Sequence, residues 1–280
     1  MAILHDSGYF IGEGGTRLFY QSWAPSTDLR AVQVVVHGLA EHGGRYLNLV
    51  NEFVPTGFRV CAMDNRGHGH SEGRRSYINR FSDYVLDLDA YVDMVRNQHP
   101  GTKIFMIGHS LGGTIATAYA EQHQAKLAGL VLSAPALKAG SSITKRDKLM
   151  ARVASRLLPT AGISSLDANS ISKDPAVVKA YLSDPLVYSG KISARLGFEI
   201  LEAIETTIPR HLAAITIPTI IMQGTEDRLS NPEGSDILFN NISSTDKTLK
   251  RYPGLFHEIF NEPERAVVFA DMRAWIEARL

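Results

Sequence analysis

An intrachain disulfide is excluded at the outset, because the 280-residue chain holds a single cysteine, Cys61. That cysteine sits in the run Phe58-Arg59-Val60-Cys61-Ala62-Met63, which reads as a buried strand. A reactive thiol needs an accessible, electropositive setting, so Cys61 reads as structural. An excess of one charge is missing too: Lys plus Arg and Asp plus Glu both number 29. A nucleic-acid partner is therefore not expected, since phosphate binding draws on a basic surplus. No apolar run approaches the roughly 18 residues that span a bilayer. The opening Met1-Ala2-Ile3-Leu4-His5-Asp6 has neither the basic nor the apolar part of a secretory signal. With 44% apolar and 21% charged residues, the expectation is an ordinary cytoplasmic globule. Its length suits one large α/β domain, or a core carrying an inserted subdomain.

Residues 8–23 alternate around Gly12-Glu13-Gly14-Gly15, the pattern of a β-hairpin. From Ala31 to Val36 the chain is a near-continuous β-branched run, as a strand buried on both faces requires. Residues 59–63, 103–107 and 128–133 repeat it. Between them Phe81, Tyr84, Leu88, Tyr91 and Val95 recur at helical spacing, and Asp83, Asp87, Asp89 and Asp93 are expected on a solvated opposite face. Buried strands alternating with helices predict a parallel, doubly wound sheet. The rhythm stops after Ala134-Pro135 and resumes at Pro218-Thr219-Ile220-Ile221-Met222-Gln223, then at Lys247-Thr248-Leu249-Lys250 and a closing amphipathic helix from about Pro263. Three segments follow: a first core part at 1–135, a helical insertion at 136–205, and a second core part at 206–280.

Gly-x-Ser-x-Gly occurs twice, at Gly69-His70-Ser71-Glu72-Gly73 and at Gly108-His109-Ser110-Leu111-Gly112. A nucleophilic serine in this motif needs a strand before it and a helix after it. Ser110 has both: Lys103-Ile104-Phe105-Met106-Ile107 precedes it and the run from Thr114 to Ala120 follows. Ser71 is followed by Glu72-Gly73-Arg74-Arg75, which has no helical pattern. A serine hydroxyl needs a base, and the base an orienting acid. Where a Gly-x-Ser-x-Gly elbow carries the nucleophile, the chain order is Ser, acid, His. His257 follows the last strand and Asp227 the one before it, so Ser110, Asp227 and His257 are the expected triad, with Glu226 as the nearest rival acid. Backbone N–H groups of Leu39 and Leu111 are the expected oxyanion donors. The histidines at 37, 42, 68 and 70 invite a metal reading, but no ligand set at a recognised spacing accompanies them, so neither metal nor cofactor is expected.

With these residues placed, the chain resembles the monoacylglycerol lipases, bacterial and mammalian, and more distantly the lysophospholipases. The resemblance runs from about Phe19 to the C-terminus. It rests on His37-Gly38-Leu39-Ala40-Glu41-His42-Gly43-Gly44-Arg45-Tyr46, Arg66-Gly67-His68-Gly69-His70-Ser71-Glu72-Gly73 and Gly108-His109-Ser110-Leu111-Gly112-Gly113, with Tyr181-Leu182-Ser183-Asp184-Pro185-Leu186 and Tyr252-Pro253-Gly254-Leu255-Phe256-His257-Glu258. It implies the α/β-hydrolase fold, a mostly parallel eight-stranded sheet with a cap at 136–205 above an acyl-chain tunnel. It also implies monoacylglycerol or a similar lipid ester as substrate, and places Glu41 and Arg45 near the glycerol end. A broader carboxylesterase or lysophospholipase activity, and a non-catalytic acyl-ligand binder, stay open as alternatives. Within the cap, Leu149, Val153 and Leu157 recur every four residues beside Met150 and Leu158, among Arg146, Lys148, Arg152 and Arg156. Such a stripe commonly packs inward. Here few apolar residues surround it, and the basic side chains suit an anionic surface, so peripheral membrane contact through the cap is the expectation.

Overall fold

Chain alternation translates directly into layers. The computed structural model describes residues 2–26, 28–139 and 144–280. Residues 140–143, in the expected cap, and Met1 of the opening hexapeptide lie outside them. The hairpin comprises β1 (Ile3–Ile11) and β2 (Arg17–Pro25), antiparallel along their whole length. Next come β3 (Ala31–Val36), β4 (Phe58–Met63), β5 (Ile104–His109) and β6 (Gly129–Ser133). Two short strands, β7 (Gly162–Ser164) and β8 (Ile192–Ser193), form a separate ribbon, and β9 (Thr219–Gly224) and β10 (Lys247–Tyr252) complete the main sheet. Among the described residues that sheet has eight strands in the order β1-β2-β4-β3-β5-β6-β9-β10, parallel from β4 to β10.

Period two divides each central strand between two cores. Val32, Val34 and Val36 of β3 face one cluster, built with α2 (Phe81–Gln98) and α3 (Leu111–His123). Ala31 and Val35 face the other, built with α1 (Leu47–Phe53) and α8 (Arg265–Glu277). With all six residues of β3 buried, a continuous β-branched run is what the position demands. The insertion between β6 and β9 holds α4 (Lys145–Leu157), α5 (Pro175–Ser183) and α6 (Ala194–Glu202); α7 (Glu233–Asn241) lies between β9 and β10.

The acidic row of α2 departs from expectation. Asp89 and Asp93 do stand at the partly solvated side, where both pair with Lys126. Asp87 is wholly buried. It receives the Arg66 guanidinium at 2.7 and 2.9 Å and the Glu13 N–H at 2.7 Å, tying the β1–β2 turn to the helix. Asp83 is also buried and caps the start of α2 through Arg80. A carboxylate with a committed guanidinium can occupy a buried position that periodicity alone assigns to water.

One half-buried acid at the far end of α3 has no such partner. The Glu121 carboxyl edges a cavity of about 300 Å³ between α2, α3 and α6, and its Oε1 lacks any hydrogen bond. Burial pushes its pKa up to about 8. A carboxyl raised in the folded state favours folding while protonated, and this support falls as pH rises from about 4.3 through the folded value. Glu121→Gln is therefore expected to gain stability over the parent progressively between about pH 5 and 8, then level off. Urea unfolding across that range reads it; a difference independent of pH would show that Glu121 stays ionised.

Candidate active site

Strand β5 ends at His109, and the chain reverses at once into α3. Ser110 occupies the reversal at φ 52°, ψ −119°, a left-handed conformation that a non-glycine residue holds only under surrounding constraint. Its N–H donates to the Ser133 carbonyl at 3.0 Å, and its carbonyl accepts the N–H groups of Thr114 and Ala136. A Cβ on Gly108 would lie 2.6 Å from the Gly112 carbonyl oxygen, and one on Gly112 would drive into the Val36 carbonyl. Those glycines let α3 start against the end of β3, aiming its N-terminal dipole at the serine. Gly113 lies against Pro135 and closes on the end of β5, the Gly108 carbonyl oxygen being 3.4 Å from where its Cβ would stand, so it shares the close helix-to-strand approach with Gly112.

Asp227 and His257 stand on the loops after β9 and β10. His257 Nδ1 and Asp227 Oδ2 are 2.8 Å apart, both side chains buried. Asp227 also accepts Gln223 Nε2 at 2.8 Å, the Leu229 N–H at 2.8 Å and the Ser230 N–H at 3.0 Å. Burial acts to raise its carboxyl. The hydrogen bond and charge of His257, with the two backbone donors, outweigh this and hold it below the usual range. An ionised Asp227 only accepts, so Nδ1 of His257 carries the proton and Nε2 is left as a base. The rings of His257 and His109, the neighbour of Ser110, lie 4.7 Å apart, which brings the two loops together over the elbow. Glu226 is exposed, and Asp236 and Asp246 pair with Arg251 and Arg279.

The loop after β3 closes the third side. A Cβ on Gly38 would come 3.2 Å from that of Ser110. His37 stitches this loop down: its Nδ1 donates to the Gly38 carbonyl at 2.7 Å, while its Nε2 accepts the Asn65 N–H at 2.8 Å. Burial and neighbouring imidazoles hold His37 well below its ordinary pKa, so it stays neutral in this role. Among the described residues, the N–H groups of Leu39 and Leu111 have no acceptor within the chain.

Glu41 and Arg45 are committed to each other. Glu41 Oε1 accepts the Gly38 N–H at 2.6 Å and the Tyr46 hydroxyl at 2.8 Å; Oε2 accepts Arg45 at 2.9 Å. Arg45 forks onto Glu258 at 2.6 and 2.8 Å and lies over the Tyr181 ring at 4.6 Å. Sequence reasoning missed Glu258 and Tyr46, although Glu258 stands beside His257 in the quoted motif. These contacts carry a supporting role for the loop. The second Gly-x-Ser-x-Gly serine is placed very differently: Ser71 is buried, accepts the Phe19 N–H at 2.8 Å and donates to the Asp64 carbonyl at 2.5 Å.

A strained serine at a strand-to-helix turn, beside a histidine–aspartate pair on neighbouring strand ends, defines an α/β-hydrolase. The chain belongs to the serine aminopeptidase S33 family, whose sequence model matches residues 27–264. It is 39% identical to a monoacylglycerol lipase of Mycolicibacterium smegmatis, over 97% of this chain and 96% of that one. It is 33% identical to the human monoglyceride lipase, over 98% and 91% of the two chains. Its fold is similar to the crystal structure of a monoacylglycerol lipase of Paleococcus ferrophilus, with a TM-score of 0.82, 32% identity and full coverage of both chains.

Proposed function

We propose that the protein hydrolyses monoacylglycerols to a fatty acid and glycerol, with Ser110 as nucleophile, His257 as general base and Asp227 as its orienting acid. The observation that carries the reading is the 2.8 Å His257–Asp227 pair beside the strained Ser110 elbow. His257 Nε2 takes the Ser110 proton as Oγ attacks the ester carbonyl. The N–H groups of Leu39 and Leu111 receive the oxyanion, each worth about 3 kcal/mol in the transition state. His257 then protonates the departing glycerol oxygen, and water releases the fatty acid from Ser110 by the same steps. Relative rates on monoacylglycerols, p-nitrophenyl esters and lysophospholipids test the substrate. Preference for lysophospholipid would move the reading to a lysophospholipase, and failure of a fluorophosphonate to label Ser110 would leave a non-catalytic binder.

Residues 136–205 serve in this reading as the cap, and α4 as its contact with lipid. Leu149, Met150, Val153, Leu157 and Leu158 are exposed, while the inner face of α4 carries the buried Ser155 and the small Ala151 and Ala154. Among the described residues no helix is long and apolar enough to cross a membrane, so contact would be peripheral. Burying a Leu or Val contributes about 1.5–3 kcal/mol, so Leu149→Ser with Val153→Ser should weaken binding to anionic vesicles at least about tenfold. Hydrolysis of a soluble acetate ester and the thermal midpoint should persist, because both side chains are solvent-facing. Joint loss of acetate activity and midpoint would make the stripe part of the folded core.

A further inference from the structure

The loop carrying Leu39 is held from two sides, and one of them is the cap. On the core side His37 and Glu41 fix Gly38 by its carbonyl and its N–H. Beyond Leu39 the chain passes through Ala40 at φ 66°, a left-handed conformation that a residue with a Cβ keeps only when its surroundings enforce it. The enforcing contacts on that flank come from residues 184–188. The Tyr188 N–H donates to the Ala40 carbonyl at 2.8 Å. Asp184 Oδ2 lies 2.9 Å from His42 Nε2. His42 Nδ1 accepts the Gly44 N–H, so Nε2 carries the proton and donates to Asp184. The segment is itself stiffened, with Asp184 Oδ1 accepting the Leu186 N–H at 2.9 Å and its carbonyl the Val187 N–H at 3.2 Å.

We propose that the cap positions the oxyanion loop: Asp184 through His42, and the Tyr188 N–H through the Ala40 carbonyl, hold the Leu39 N–H where the developing charge needs it. Asp184 is thus a positioning residue, and oxyanion stabilisation depends on the cap being seated. The inference rests on reading Leu39 as an oxyanion donor. A cap that only admitted substrate would affect the lipid chain and leave the chemistry of a small ester alone.

The test uses the full chain, p-nitrophenyl acetate and an alkyl trifluoromethyl ketone, whose serine adduct presents an oxyanion. Asp184→Ala should lower kcat for the acetate ester about 10- to 100-fold, since a donor displaced by an ångström forfeits much of its effect, with KM within about threefold. Affinity for the ketone should fall by a similar factor. Asp184→Asn should recover part of both, because its amide oxygen still accepts from His42. His42→Phe should reproduce the loss, and adding Asp184→Ala to it should cost little more, as expected of two residues acting through one bond. Should Asp184→Ala not fold, Asp184→Asn and His42→Phe carry the same comparison. Unchanged acetate kcat and ketone affinity in all folded variants, with loss only of long-chain turnover or thermal midpoint, would overturn the proposal. Fluorophosphonate labelling of the unaltered protein separates the two levels. No labelling sinks the hydrolase reading itself, whereas labelling with unaffected variants sinks only the role of the cap.

Discussion

Ser110→Ala is expected to lower kcat on the order of 10⁶-fold, and His257→Ala by about as much, because members of a triad fail as a unit. The residual rate would come from substrate binding and the N–H groups of Leu39 and Leu111. Asp227→Asn should cost about 10⁴-fold: an amide there can donate to His257 Nδ1 and impose the wrong tautomer. Three backbone and side-chain donors converge on Asp227, so the substitution alters the His257 proton more than the loop. Ser71→Ala supplies the contrast within the same motif. Its hydroxyl bridges Phe19 and Asp64, so loss should cost about 1–3 kcal/mol of stability and leave kcat near the parent value. Single-turnover kinetics with a chromogenic ester, beside thermal melts, separate the two serines. Abolished acylation in Ser71→Ala with acylation retained in Ser110→Ala would reverse the assignment.

The legible parts of the chain share a physical cause. β3 and β5 were readable because strands buried on both faces admit only apolar residues, and the turn at Ser110 because a strand-to-helix reversal this tight requires small residues at 108 and 112. Asp227 was readable because it follows such a strand, β9, whereas His257 follows the half-exposed edge strand β10 and was readable from the chain order Ser, acid, His. The misread positions are those where a distant partner overrides local pattern. Asp87 sits on a face that spacing assigns to solvent, yet Arg66 and the β1–β2 turn bury it. Glu258 is separated from Arg45 by more than two hundred residues, and nothing in either neighbourhood names the other. The ribbon of β7 and β8 escaped notice because strands so short carry too few residues for an alternation to register. In α4 the apolar stripe was plain from spacing, whereas its outward direction was legible only from the scarcity of apolar residues around it and the basic side chains beside it.

Arg45→Met is expected to be the most destabilising single change in the loop that carries Leu39. The Arg45 side chain is 10% exposed, and its partners Glu41 and Glu258 are 5% and 6% exposed. Removing the guanidinium leaves two carboxylates close together in a buried site, and breaking such a pair costs about 3–5 kcal/mol. For a chain of this size that lowers the thermal midpoint on the order of 10 °C. The sign with pH follows from Glu41. Burial acts to raise its carboxyl, but the Arg45 charge, then His109, the Gly38 N–H and the Tyr46 hydroxyl, bring it below the ordinary value. Stability from this depression is present above the unfolded carboxylate pKa, about 4.3, and is lost as pH falls through the lower folded value. Without Arg45 the first of the charges opposing burial is gone and only His109, the Gly38 N–H and the Tyr46 hydroxyl still act against it, so the Glu41 carboxyl rises relative to the parent and the stability it contributes at neutral pH shrinks. The gap between parent and variant should therefore be widest near pH 7 and narrow toward pH 4. Urea unfolding at both values measures it, and adding Glu41→Gln with Glu258→Gln should recover much of the loss by removing the stranded charges. If Arg45→Met instead melts like the parent and raises KM for glycerol esters alone, Arg45 contacts the glycerol end of the substrate and the loop stands without it.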